Sequence, residues 1–190
     1  MRKTFLSIAA LIAVAISNGQ TGTILVGGNA SFSKTKNTRS ADGYPYYYTK
    51  ETTLAINPFV GYQFDENWTA GATGTINFSE ENYNTYKSKN KFYGVGPFVR
   101  YTHHLSDVFF LFGQLEGQYK STVVGDVKGV STKLFPAIFI NVKNGFGLNF
   151  DFGGIEYEAS NYKDAPCDLR SSSFGLNFGK TFNIGISKNF

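Results

Sequence analysis

One cysteine and two histidines are all the soft metal ligands in a chain of 190 residues. Cys167 alone cannot build a disulfide framework. With only His103 and His104 to join it, no zinc site of the usual spacing is available. Cys167 stands in the polar run "KDAPCDLR" and reads as an ordinary loop thiol. Charge is sparse as well, at 17% of residues. The formal net charge is +4, falling to +2 once Arg2 and Lys3 are set aside (4 − 2), too little to point to nucleic acid. Beyond the N-terminal stretch there is no long apolar run, which excludes a helical membrane span. No segment holds a 3.6-residue apolar period, which argues against helices. Gly94-Val95-Gly96 is followed by no helix and is not a phosphate loop. No metal, no cofactor and no nucleic acid partner is therefore expected.

What is present is aromatic and glycine-rich: 17% aromatic residues and 21 glycines. That mixture suits an all-β chain with many turns. Residues 1–19 are set apart from it. Arg2 and Lys3 precede an apolar run from Phe5 to Ile16 and a small-residue stretch, the pattern of a secretory signal peptide. Cleavage after Ser17 or Gly19 leaves one domain over 20–190.

That domain alternates with period two in eight segments: 22–33, 52–64, 67–79, 91–103, 107–120, 133–142, 145–157 and 172–190. In the second, Leu54, Ile56, Pro58, Val60 and Tyr62 share a face opposite Ala55, Asn57, Phe59 and Gly61. Short connections lie near Asp65, His104 and Asn144-Gly145, the last a tight-hairpin signal. Long ones cover 34–51, 80–90, 121–132 and 158–171. Such alternation is an up-and-down meander with two unlike ends. Pro58, Pro97 and Pro136 recur 39 residues apart, one per hairpin unit, on the apolar side of the even-numbered strands. Proline cannot donate to a ladder, so a bulge or weakened pairing is predicted at each.

The polar face decides which side is buried. It is rich in Gly, Asn, Thr and Ser, which suit the narrow interior of an eight-stranded barrel. A soluble barrel's exterior would carry far more Lys and Glu. Aromatics cluster near the short turns, at Tyr62, Phe64, Trp68, Tyr101 and Phe109, as in an interfacial girdle. The prediction is an all-β, eight-stranded antiparallel up-and-down transmembrane β-barrel. On the last strand Lys180 would mark the outer-leaflet boundary, and closure would leave no open edge in the hydrocarbon.

The signal peptide, the eight amphipathic segments, the P-F-V-x-Y strands and the final "TFNIGISKNF" resemble the small bacterial outer-membrane β-barrels of the OmpA/OmpX type, including those of Bacteroidetes-like bacteria. The resemblance implies a Gram-negative-type outer membrane, with termini and short turns periplasmic and long loops outside. It implies outer-membrane lipid and lipopolysaccharide as surroundings. It also implies recognition by the barrel-assembly machinery through Phe182, Ile184, Ile186 and Phe190.

Arg100, Glu116 and Asp151 fall on the polar face and are expected to pair as a structural cluster in the lumen. The first long loop, "KTKNTRSADGYPYYYTK", is basic and tyrosine-rich. Arg39, Tyr44, Tyr46, Tyr47 and Tyr48 are its candidate contacts for an external ligand. His104, Ser106 and Glu116 resemble the catalytic residues of lipid A deacylase barrels. Acyl hydrolysis needs its nucleophile, base and orienting carboxylate in contact, and Glu116 stands ten residues along the next strand. The expected role is structural, or adhesive through the external loops, and not enzymatic. The alternatives are a conduit for small solutes or hydrophobic molecules, and a lipid A-modifying enzyme.

Overall fold

A computed structural model describes residues 22–39, 47–83, 86–123, 127–162 and 169–190. The proposed signal peptide and Cys167 lie outside them. The described residues form eight strands: β1 (Thr23–Arg39), β2 (Tyr47–Gln63), β3 (Trp68–Tyr83), β4 (Lys87–His104), β5 (Phe109–Thr122), β6 (Val127–Lys143), β7 (Phe146–Tyr162) and β8 (Leu169–Asn189). Each pairs antiparallel with its neighbours in sequence, and β1 pairs with β8, closing the barrel. The expected fold class is the observed one.

The eight segments are all where the alternation places them, but most strands are longer than read. They run 14 to 21 residues because their ladders continue into the segments read as long loops. The β1–β2 ladder, for example, continues to Arg39 opposite Tyr47. Polar composition there signals exposure to water, not loss of pairing. The short turns hold as predicted. Asn144 and Gly145 both take positive φ, 49° and 74°, the type I′ geometry that matches strand twist. At the β4–β5 turn, Ser106 Oγ accepts hydrogen bonds from the backbone N–H groups of Val108 (3.3 Å) and Phe109 (3.0 Å).

The barrel is inside-out relative to a soluble protein. Among the described residues the buried apolar ones are Leu25, Phe98, Phe112, Phe135 and Ala137. The buried polar ones are more numerous and include Thr69, Thr73, Arg100, Gln114, Gln118, Ser131, Asn149, Asp151 and Ser187. Meanwhile Ile24, Val26, Ile56, Val60, Val95, Leu111, Leu115, Val130, Leu134, Ile184 and Ile186 are exposed around the outer wall. An apolar surface that encircles a monomer is tolerable only against lipid. Trp68 and Tyr101, paired across β3 and β4 with ring centroids 5.0 Å apart, stand on this wall beside the short turns.

The three prolines face outward, and each interrupts one ladder only. Pro58, Pro97 and Pro136 pair in register with Gly28, Ala72 and Gly113 on the preceding strand. Toward the following strand pairing lapses. Between β2 and β3 it stops at Ile56–Ile76 and resumes at Phe59–Thr73, with unchanged register. Between β4 and β5 it stops at Val95–Tyr119 and resumes at Phe98–Glu116. Between β6 and β7 the register itself shifts from Leu134–Ile155 to Ala137–Asp151. So weakened pairing holds at two prolines and a true bulge at the third. Register places Gly74 and Gly117 opposite the first two gaps, and Gly153, at φ 85°, lies in the bulge.

Two features depart from expectation. The β7 bulge flips the alternation, so Phe150 and Phe152 belong to the outer set below it and Ile155 and Tyr157 above it. On β8, Phe178 faces Gly153 while Asn183 faces Asp151. Five steps on β8 therefore match two on β7, with Gly179 at φ 76°. The barrel closes as expected, but over a short ladder. The β1–β8 ladder runs from Leu25–Asn189 to Asn29–Gly185, with Ile24 and Phe190 exchanging backbone hydrogen bonds of 3.2 and 2.9 Å below it. The neighbouring positions Ala30/Ile184 and Ser31/Asn183 carry no ladder pair.

Two glycines separate turn geometry from wall packing. A Cβ at Gly145 would meet Asn189 O at 2.8 Å on a positive-φ backbone, so Gly145→Val is expected to destabilise the folded barrel by about 1–3 kcal/mol. At Gly113 a Cβ has nothing within 4 Å, and Gly113→Val is expected to be neutral or stabilising by under ~1 kcal/mol. Urea titration of the refolded barrel in lipid vesicles measures both.

Candidate functional site

The lumen is built from residues adjacent to the outward prolines. Because Pro58 faces lipid, Phe59 faces inward; Pro97 does the same for Phe98, and Pro136 for Phe135. Phe112 on β5 joins them. Phe59 and Phe98 meet edge-on with centroids 5.9 Å apart. Glycines on neighbouring strands make room for these rings. A Cβ at Gly61 or at Gly71 would lie 2.8 Å from the Phe98 ring. Inward aromatics and inward glycines are thus one packing solution in a barrel whose interior side chains must fill.

Arg100 lies at the centre of this layer. Its guanidinium carbon sits 4.0 Å from the Phe112 ring centroid, 5.0 Å from Phe59 and 5.8 Å from Phe98. Its Nε and Nη2 both donate to Gln114 Oε1, at 2.9 and 2.7 Å. Gln114 Nε2 in turn donates to Glu116 Oε2 at 3.0 Å. The amide is therefore oriented by charge at both ends, oxygen toward the cation and nitrogen toward the carboxylate. A cation buried without partners would be very costly. Here charge-assisted hydrogen bonds and ring faces, the latter about 2 kcal/mol when desolvated, offset that cost.

Two cavities meet at this layer. The one toward the long-loop end has a volume near 350 Å³ and is polar, with Asn57, Thr75, Gln118, Ser131, Lys133 and Asp151 among its walls. The one toward the short turns is near 110 Å³ and reaches His104, Phe110 and Phe139. Arg100 and Phe112 line both and separate them. Above the layer the walls are cross-linked. Thr75 Oγ1 donates to Gln118 Oε1 (2.9 Å), Asn57 Nδ2 to Asn29 Oδ1 (2.7 Å) and Lys120 Nζ to Glu158 Oε2 (3.1 Å).

Arg100, Glu116 and Asp151 all face the lumen. The structure joins Arg100 to Glu116 through Gln114 and gives Asp151 a separate partner, Asn183, whose Nδ2 donates at 2.9 Å. Ile184, Ile186 and Phe190 are exposed on the outer wall, and Phe182's side chain lies outside the described part. Tyr44 and Tyr46 are outside it too. Arg39, Tyr47 and Tyr48 are placed by backbone alone, on the β1–β2 ladder. The His104 ring packs edge-on against Phe110 at 4.7 Å, and Ser106 caps its turn. Register puts Phe110 opposite His104 and Glu116 six residues further along β5, about 20 Å away at ~3.4 Å per residue.

Sequence reasoning missed the phenylalanine layer. The signal was there: once Pro97 faces out, parity puts Phe98 with Arg100, and Phe112 shares the face of Gln114 and Glu116. The layer separates the two cavities of the lumen, so the intact protein is expected to pass no steady ionic current across a planar bilayer. A Phe98→Ser/Phe112→Ser double variant is expected to open discrete conductance steps, with the folded band on unheated gels confirming that it still folds.

No family model matches the chain, and no curated protein matches it significantly. Solved structures similar to it include the translocator domain of the autotransporter NalP from Neisseria meningitidis, at 17% identity and TM-score 0.37, covering 99% of this chain and 76% of that one. Yersinia pestis outer membrane protein Ail is similar at 14% identity and TM-score 0.34 (89% and 99% covered). Neisserial surface protein A is similar at 12% and 0.37 (89% and 96% covered). These are likenesses of barrel shape, and nothing about activity passes through them.

Proposed function

We propose that the protein is an outer-membrane barrel that serves the envelope through its external rim, as a structural or adhesive surface protein and not as an enzyme. The observation that carries this reading is the division of the lumen at Arg100 and Phe112. With the interior closed, the exposed ends of the strands are what remains to meet other molecules.

Those ends are built for it. A tilted strand needs about 9–11 residues to cross a bilayer, and these run 14 to 21. The excess lies at the long-loop end and is polar: Lys34 and Lys36 on β1, Lys50 and Glu51 on β2, Glu80 and Glu81 on β3, Lys87 and Lys89 on β4. Six extra residues would carry the hairpins about 20 Å beyond the hydrocarbon at ~3.4 Å per residue. Lys87 Nζ reaches Glu80 Oε1 at 2.7 Å, and this hydrogen bond holds the Glu80 carboxyl below its usual pKa. Such exposed pairs are screened by salt and contribute little. They mark the surface as water-facing.

In this reading the termini and short turns are periplasmic, and the end of the β1–β2 hairpin that carries Arg39, Tyr47 and Tyr48 lies outside the cell, with Tyr44 and Tyr46 as further candidate contacts. Tyrosines beside basic residues suit contact with a partner protein, a glycan or lipopolysaccharide phosphates. The conduit reading keeps some support from the polar cavity above the plug.

Topology is tested by single cysteines in a Cys167→Ser background. On intact cells a membrane-impermeant maleimide is expected to label Lys36→Cys and to leave Asn144→Cys unlabelled until the envelope is opened. The reverse pattern would invert the orientation. Lipid A of cells with and without the gene is expected to show one acyl pattern by mass spectrometry, and a changed pattern would favour the enzyme instead.

A further inference from the structure

The β1–β8 seam is the weak line of the barrel. Its ladder spans five pairs, Leu25–Asn189 to Asn29–Gly185. The β4–β5 ladder, the next shortest, covers Phe92 to Val95 and Phe98 to His104. Immediately beyond the last pair, Ala30 and Ser31 are exposed, Ile184 is 53% exposed, and none of the three is paired across the seam.

Two depressions converge at this point. Inside, the polar cavity of about 350 Å³ reaches the seam at Gly28, Asn29, Ser31, Asn183 and Gly185. Outside, an apolar groove of about 540 Å³ runs along the same seam, walled by Val26, Ile56, Pro58, Phe146, Ile184 and Ile186. The two share Gly28, Asn29 and Gly185. Two of these have no side chain to screen one space from the other. The polar residues nearest the junction, Asn29, Ser31, Asn57 and Asn183, are uncharged. Asp151 is already engaged by Asn183, Arg100 by Gln114, while Lys120, Lys133 and Glu116 stand on β5 and β6 and Glu156 on β7. Asn149, also on the cavity wall and 8% exposed, has a buried Oδ1 with no hydrogen-bond partner among the described residues.

We propose that the seam holds one single-chain amphiphile, its apolar chain in the outer groove and an uncharged, hydroxyl-bearing head in the lumen, entering sideways where the β1–β8 ladder ends. The inner cavity has the size of ordinary small-molecule sites. A bilayer supplies the chain, and the neutral amides of Asn29, Asn57 and Asn183 select the head. The site rests on the membrane-barrel reading above, but needs no through-pore, since it lies above the Arg100 layer.

The test uses the full-length barrel in detergent, with 1-monolauroylglycerol as the probe and native mass spectrometry as the readout. In a Cys167→Ser background, Ala30→Cys and Ile184→Cys, at the first position beyond the last ladder pair, are bridged by a short thiol cross-linker, and the unbridged protein is its own control. Unbridged protein is expected to carry one monolauroylglycerol, and bridging to lower the bound fraction at least tenfold. Gly185→Leu, whose Cβ would lie 3.0 Å from Gly28 O, is expected to lower it similarly. Equal binding after bridging, no 1:1 adduct with the unbridged protein, or equally tight binding of anionic dodecyl phosphate would each overturn the proposal. Loss of the folded band on unheated gels of the parent protein would instead sink the barrel reading.

Discussion

Backbone hydrogen bonding in lipid is the constraint from which the rest of this structure follows. A peptide group facing hydrocarbon finds no water, so each must pair within the protein. Eight antiparallel strands that pair in sequence order meet the demand only if β1 returns to β8. Here it does so over five pairs, with Ile24 and Phe190 extending the contact. Once the sheet is closed, its faces are assigned without choice. The outside takes Ile, Val, Leu and aromatic side chains, and the inside takes the polar and small ones.

Prolines test this constraint where it is strictest. Each removes a donor from a sheet that has none to spare, yet each interrupts only the ladder to the following strand. A lapse confined to one side leaves the strand anchored on the other. The same step in the chain turns Phe59, Phe98 and Phe135 inward. Phe59 and Phe98 meet Arg100 there, Phe135 packs with Phe112, and the layer divides the lumen. The outward proline and the inward phenylalanine are thus consequences of one alternation, and the interior plug is coupled to the wall's irregularity.

Arg100 shows how the barrel keeps a charge where neither lipid nor bulk water is at hand. Its partners are three rings and one amide oxygen, and the balancing carboxylate of Glu116 lies one amide away. A direct ion pair would need the two charged groups side by side on the lumen wall. Register makes Arg100 and Glu116 diagonal neighbours, since Arg100 faces Gln114 across the β4–β5 ladder and Glu116 faces Phe98; long side chains can span that diagonal, but here the guanidinium donates to Gln114 instead. Gln114 spans the gap with a donor and an acceptor on one rigid group.

Fold class, strand number, short turns and the lipid-facing side were all legible in residue order, because period-two alternation and turn chemistry are local properties. So was the position of the three interruptions at Pro58, Pro97 and Pro136, since proline announces a missing donor wherever it stands. The phenylalanine layer was legible in principle from the parity of Pro97 and Arg100. Three things were not. How far the strands climb beyond the bilayer depends on cross-strand pairing of polar segments that look like loops when read singly. The Gln114 relay and the separate Asp151–Asn183 pair depend on register between strands. The extent of the β1–β8 seam depends on residues more than 150 positions apart, whose contact no local pattern encodes. Only closure of the sheet, with its accumulated bulges on β7 and β8, decides how much of that last ladder can form.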